Sequence, residues 1–241
     1  MPKCNIKLVE TVFEINCKYD YFLKQAKDYL YDGESDVIID IDDEDIEFEK
    51  RQRSNFNNKY NFENNSIEDK NIECFSIYRK IANYFLDKNV LFFHGAVVGK
   101  GNEGYMFIAP SGVGKTTHMN LWLKVFDDAY PINGDLPIVI IKDNNIYVSG
   151  SPWAGKENLQ TNKIVPLRAI YLLNRSETNK VSVIDDTELI FEKLYGHIYK
   201  RDNQVLNVVK NLKKIIENIP FYRLDSNLSE EAAIIAYNDI K

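Results

Sequence analysis

An almost unbroken apolar run, Tyr105 to Ala109, passes directly into Pro110-Ser111-Gly112-Val113-Gly114-Lys115-Thr116-Thr117, and the residues beyond it place Met119, Trp122, Leu123 and Phe126 on one helical face. A strand covered on both sides, a glycine loop and an amphipathic helix in that order commit this part of the chain to a layered α/β arrangement. The loop also carries a chemistry. Glycines let the backbone wrap closely around an anion, and the N–H groups of the loop and helix start point at it. Lys115 neutralises β/γ-phosphate charge, and the Thr116 hydroxyl can ligate Mg²⁺. Ala109 stands where such loops begin with glycine, a change the end of a strand tolerates. Residues Ser111, Gly112, Val113, Gly114, Lys115, Thr116 and Thr117 are therefore the expected nucleotide-phosphate site.

A phosphate loop needs an acid for the metal and, where a hydroxyl is the acceptor, a base for its proton. Asp135, in Pro131-Ile132-Asn133-Gly134-Asp135-Leu136-Pro137, follows Thr116 by 135 − 116 = 19 residues, room for one helix and a turn back into a neighbouring strand. Its plain alternative is a turn cap. The expected metal pair is Thr116 and Asp135.

Around this nucleus the pattern is mixed. Val90 to Val98 reads as one buried strand, with a short Gly99 to Gly104 turn before the next. Further strands fit Leu136 to Ile141, Ile146 to Ser149, Ala169 to Leu173, Val181 to Ile184 and Phe221 to Leu224. Helices fit Thr187 to Ile198, Asn203 to Ile219 and a final one opened by Ser229. Before Val90, Asn5 to Cys17 reads as a strand, Tyr21 to Tyr31 as a helix, Val37 to Ile41 as a strand, and Cys74 to Phe85 as a helix. The asparagine-rich stretch Asn55 to Asn65 reads as a loop and internal boundary. The expected fold is α/β (α+β), a phosphate loop in a mixed sheet flanked by helices. Residues 1–89 form a small strand-rich part and 90–241 the main domain.

Composition removes several functions. Thirty basic and 36 acidic residues among 241 leave a net charge of −6, so no broad nucleic-acid surface and no anionic-membrane surface is expected. No apolar run approaches the ~18 residues of a membrane span, and Met1 to Tyr19 lacks the form of a signal peptide. Cys4, Cys17 and Cys74 fit no metal or disulfide pattern. A cytoplasmic location is the expectation. The acidic run from Asp40 to Glu47 lacks the form of a calcium loop and reads as a solvated face.

Five blocks carry a resemblance: HGAVV at His94 to Val98, APSGVGKTTHMNLW at Ala109 to Trp122, INGDLP at Ile132 to Pro137, GSPWAGK at Gly150 to Lys156 and PFYRLDSN at Pro220 to Asn227. In order and spacing they resemble the catalytic domain of HPr kinase/phosphorylase and its small relatives, which share a phosphate loop in a mixed sheet with ATP-dependent phosphoenolpyruvate carboxykinase. The resemblance implies that His94 lies beside the phosphates and that Asp135 matches the second of a paired aspartate. Gly134 stands in the place of the first, so either Asp135 would cover more than one role or another group would take one over. No counterpart of the HPr-docking signature is present. Relatives with the GSPW-type loop look like kinases found beside peptide-modification systems.

The expectation from residues and resemblance together is an ATP- and Mg²⁺-dependent kinase acting on a Ser or Thr hydroxyl of a peptide or small protein, such as a ribosomally made precursor. Its alternatives are phosphorylation of a small-molecule hydroxyl such as free serine, and a decayed nucleotide-binding module. The catalytic candidates are Asp135, Lys115, His94 and Lys156. Trp153 and Gly155 are substrate-side candidates, while His118 reads as a local packing residue. His94 and Trp153 also read as core residues, and Lys156 as a solvated loop lysine. A homo-oligomer is compatible with the sequence. Residues 1–89 either dock the substrate or complete the sheet.

Overall fold

The computed structural model describes residues 2–60, 67–200 and 204–240. The chain divides into two compact units, Met1–Tyr84 and Phe85–Lys241.

In the first unit, β1 (Lys3–Leu8) and β2 (Thr11–Asn16) form a hairpin. The stretch expected as one strand thus folds back at Val9, whose φ is 58°. Alternation still decides its faces, with Ile6, Leu8, Phe13 and Ile15 buried. β3 (Val37–Asp40) adds parallel to β2, giving the order β1-β2-β3. The helix expected through Tyr31 is only α1 (Tyr21–Gln25) followed by a 3₁₀ turn at Lys27–Tyr29.

The acidic run is not simply a solvated face. Asp42 and Asp45 exchange side-chain-to-backbone hydrogen bonds, Asp45 N–H to Asp42 Oδ1 at 2.9 Å and Asp42 N–H to Asp45 Oδ2 at 3.3 Å. They open α2 (Asp43–Tyr60), whose first turn holds Asp43, Glu44 and Asp45 where the helix dipole favours anions. Residues Asn55, Asn57 and Asn58, expected in a loop, lie in this helix; 61–65, the remainder of that stretch, lies outside the described residues. On α3 (Asp69–Leu86), Arg79 pairs with Asp45 at 3.0 Å and with Glu49, and Lys80 pairs with Asp45. Burial pushes the Asp45 carboxyl up, but the bonds from Lys80, the Asp42 backbone and Arg79 outweigh it and hold the group below its ordinary range.

The second unit runs β4 (Val90–Phe92), β5 (Ala96–Lys100), β6 (Glu103–Ile108), α4 (Lys115–Val125), β7 (Ala129–Asn133), β8 (Ile138–Lys142), β9 (Asn145–Ser149), β10 (Ile164–Arg175), β11 (Lys180–Val183), α5 (Thr187–Gly196), α6 (Val205–Asn218), β12 (Phe221–Ser226) and α7 (Glu230–Asn238). The sheet order is β4-β8-β9-β10-β6-β5-β7, with β12 also beside β10 and β11 beside β12. It is a mixed sheet flanked by helices. β6, β10 and β12 are its parallel strands, the other pairings being antiparallel. The run expected as one strand from Val90 to Val98 breaks at Phe93–Gly95. There the backbone N–H groups bond to Pro137, His197 and Asp135 rather than to a continuous ladder. β7 carries no apolar signature strong enough to be expected from sequence, yet its end launches the Asp135 turn.

Alternation along β6 builds two cores. Met106 and Ile108 face one, closed by Ile190 and Leu194 of α5 and by Val208, Leu212 and Ile215 of α6. Tyr105 and Phe107 face the other, where Trp122 of α4 lies 4.8 Å and 5.8 Å from their ring centroids and Ala233 and Ala236 of α7 complete the layer. Burying each such ring contributes roughly 1.5–3 kcal/mol, so the helix that follows the phosphate loop is anchored independently of any ligand. Ser229 takes the backbone position of an N-cap for α7, but its side chain makes no cap bond and accepts from Asn179 Nδ2 at 3.1 Å instead.

Candidate active site

The phosphate loop leaves the C-terminal end of β6, the end of parallel strands where α/β proteins place ligands. Gly114, the residue before α4, has φ 119°, and a Cβ there would lie 3.2 Å from Leu228. The positive φ demands glycine, and the close Leu228 side chain leaves little room for more. The opening turn of α4 holds Lys115, Thr116 and Thr117 with no acidic residue among them, leaving the dipole end open to an anion. Lys115 is buried, and its ammonium donates to the carbonyl of Ala109 at 2.8 Å. Burial lowers its pKa from the ordinary lysine value, opposed by the charge of Asp135.

The same ammonium lies 3.3 Å from His94 Nε2, and His94 Nδ1 lies 3.2 Å from Asp135 Oδ1. An ammonium has no lone pair to offer, so Nε2 must be the acceptor. The ring proton then sits on Nδ1 and donates to Asp135. Lys115, His94 and Asp135 thus form one contiguous chain of polar contacts, assembled from α4, the β4–β5 break and the turn after β7.

That turn is shaped by a residue the sequence reading passed over. Asn133, fully buried, accepts from the backbone N–H groups of Asp135 (2.9 Å) and Leu136 (2.8 Å) through Oδ1, and its Nδ2 donates to the carbonyl of Ser151 at 2.9 Å. Asn two residues before an acid in a tight turn is a legible local signal. The loop after β9 grips the same turn, since Leu136 N–H donates to the Trp153 carbonyl at 3.0 Å and Ser151 Oγ donates to the Leu136 carbonyl at 2.6 Å. The grip explains Gly134. A Cβ on Gly134 would stand 2.8 Å from the Ala154 carbonyl oxygen, so no side chain, and no second carboxylate, fits there.

These parts enclose a cavity of about 470 Å³. Of the expected phosphate-site residues, Ser111, Gly112, Gly114, Lys115, Thr116 and Thr117 line it, as do His94, Asp135, Gly155 and Lys156. Lys156 is exposed at its rim. Val113 is not on the wall. Its side chain packs on the α4 core, and its carbonyl accepts from Arg175 Nε at 3.0 Å. Trp153, a substrate-side candidate, is also off the wall, buried with its ring edge-on to Phe92 at 5.9 Å. Its backbone, not its ring, is the part that reaches the Asp135 turn. His118 lies on the buried face of α4 and accepts from Trp122 Nε1 at 3.2 Å, and burial pushes its pKa down to about 4.

Two charged wall residues were not expected. Arg175, at the end of β10, donates to the carbonyls of Val113 and Gly112 (2.9 Å) and so holds the far end of the loop. Its place at the C-terminal end of the strand beside β6 is the signal that finds it. Glu157 accepts from Asn120 Nδ2 at 3.1 Å.

Among the described residues no three His, Cys, Asp or Glu side chains cluster to hold a metal ion by themselves. Thr116 and Asp135 on one cavity wall are instead a donor set suited to Mg²⁺, which keeps several ligands from water and phosphate and takes only one or two from protein.

No protein-family model matches the sequence, and no curated protein matches it. Among solved structures the chain is similar to the HPr(Ser) kinase/phosphatase from Coxiella burnetii, with a TM-score of 0.38 and 9% identity, over 61% of this chain and 95% of that one. Residue roles therefore rest on the geometry above. No helix among the described residues is long and apolar enough to cross a membrane.

Proposed function

We propose that the protein is an ATP- and Mg²⁺-dependent kinase that moves the γ-phosphoryl group to a Ser or Thr hydroxyl of a peptide or small protein. The observation that carries this reading is the Lys115–His94–Asp135 chain on the wall of the cavity that the phosphate loop opens into. ATP and Mg²⁺, when bound, supply the transferable group and the charge neutralisation that phosphoryl transfer requires. Backbone N–H groups of Gly112 to Thr117 bind and orient the phosphates, and Lys115 holds the β/γ end. Asp135 accepts the hydroxyl proton, with His94 fixing the carboxylate through its Oδ1. Lys156 at the rim and Arg175 at the loop's far end supply the remaining positive charge.

The reading is tested with γ-labelled ATP and hydroxyl-bearing peptides. Label appearing on a Ser or Thr with wild type, and lost in Asp135→Asn, is the expected result. A second reading, a nucleotide-binding module without transfer, is favoured by one feature, the single carboxylate enforced at Gly134. It forecasts tight ATP binding with no labelled product.

A further inference from the structure

A second cavity, of about 310 Å³, lies at the C-terminal ends of β6, β10 and β12 on the face covered by α5. Its walls include Ile108, Leu172, Leu173, Ile184, Leu189 and His197. Ala109 and Pro110 also line it. Those are the residues whose carbonyls the Lys115 ammonium faces, at 2.8 Å and 3.5 Å. His94, on the wall of the phosphate cavity, lies nearly parallel to His197, at 6.3 Å between ring centroids and 15° between planes, and its N–H donates to the His197 carbonyl at 2.6 Å. This strand end and this ring pair thus join residues on the wall of one cavity to residues on the wall of the other. Arg175 holds Gly112 and Val113, further along the loop. The second cavity therefore adjoins the Lys115–His94–Asp135 group, where the transferred phosphoryl and the acceptor hydroxyl must meet.

Its chemistry selects an uncharged occupant. The two cations on its rim are already paired, Lys193 with Glu192 at 2.9 Å and Arg223 with Asp225 at 3.0 Å. His197 Nδ1–H is spent on the Lys193 carbonyl at 2.7 Å. The volume equals about ten waters at ~30 Å³ each, ample for a leucine or phenylalanine side chain.

We infer that this cavity receives an apolar side chain adjacent to the acceptor hydroxyl, so that the substrate is a peptide in which the Ser or Thr neighbours a leucine- or phenylalanine-sized residue. The inference rests on the kinase reading for the identity of the acceptor but is tested by binding alone.

Fluorescein-labelled hexapeptides with a central Ser, flanked by glycines throughout or bearing one Leu directly before or after it, are titrated against the full chain saturated with Mg²⁺ and a non-hydrolysable ATP analogue. One Leu peptide should bind about tenfold tighter than the all-glycine peptide, the discrimination an apolar pocket offers. Leu189→Trp, which fills the cavity from α5, should erase that preference while the affinity for the ATP analogue stays unchanged. Ile184→Trp, entering from the segment before α5, should do the same. Equal binding of all peptides to wild type overturns the inference. So does weakened binding of the ATP analogue in either variant, which would make the cavity a nucleoside site. Phosphoryl transfer to the same peptides is scored separately. A Leu preference without transfer supports the pocket and sinks the kinase reading, whereas transfer without a preference sinks the pocket alone.

Discussion

The phosphate loop and the Asp135 turn lie on the wall of one cavity and are made in opposite ways. The loop is built from consecutive residues, with its shape set by backbone dihedrals at Gly112 (φ 81°) and Gly114 (φ 119°) and its helix anchored by Trp122 in a separate aromatic core. The turn is built from pieces far apart in sequence. Asn133 supplies its acceptor, Ser151 and Trp153 tie it down from the next loop, and His94 fixes its carboxylate from the break after β4. A local device tolerates change elsewhere, whereas an assembled one should fail when any contributor is removed.

The largest effect should come from the local device itself. Lys115→Ala removes the loop's buried cation, and turnover should fall at least ~10²- to 10³-fold, as when one preorganised electrostatic contact to the reacting group is lost. ADP release measures it, and wild-type turnover in the variant would remove the loop from the chemistry. Next, Asp135→Asn should lower phosphoryl transfer by ~10²- to 10⁴-fold, the usual cost of losing a general base, while ATP affinity stays within about tenfold. Parallel calorimetric and transfer measurements separate the two halves of the site, and an equal fall in both would mean they are not separable.

How much of this was open to a sequence reader follows the same division. The loop, its strand and its helix depend on neighbours in sequence, so motif and periodicity revealed them together with Lys115 and Thr116. Asp135 and His94 were legible as residue types in suggestive surroundings, but their bond through the ring needs three elements brought together. Arg175 is not legible because its partners, the carbonyls of Val113 and Gly112, lie 62 and 63 residues away, whereas the turn bonds of Asn133 are local and only its tie to Ser151, 18 residues on, is hidden. Trp153 shows the converse. A tryptophan in a conspicuous loop suggests recognition, while here its backbone carbonyl matters and its ring is buried. In the first unit, one strand became a hairpin because composition does not show that Val9 adopts a positive φ, and a polar asparagine stretch entered α2 because the Asp42–Asp45 exchange starts that helix upstream.

A smaller effect sharpens the comparison. Asn133→Ala should leave the Asp135 N–H without its acceptor and the Leu136 N–H with the Trp153 carbonyl alone, and cost ~1–3 kcal/mol of stability, as an orphaned donor does. Transfer should fall less than in Asp135→Asn, and ATP affinity should hold. Denaturant titration with transfer assays checks this, and a loss confined to ATP affinity would place Asn133 with the loop instead.

The smallest effect belongs outside both regions. Because the folded carboxyl of Asp45 titrates below its ordinary value, it contributes stability that is fully present above about pH 4, near the unfolded aspartate value, and is lost as pH falls through the lower folded value. Asp45→Asn should flatten the acid limb of the unfolding profile followed by circular dichroism. It should leave ATP affinity at neutral pH unaltered.

The crowding at Gly134 also constrains how this chain can change. With the Ala154 carbonyl 2.8 Å from where a Cβ would stand, a Gly134→Asp substitution alone meets a filled position and pushes on the loop that steadies Asp135. A second acid could be accepted only if the backbone at Ala154 drew back. A two-carboxylate site therefore requires the loop to move as well as the acid to be added, and that movement acts on the loop that steadies Asp135.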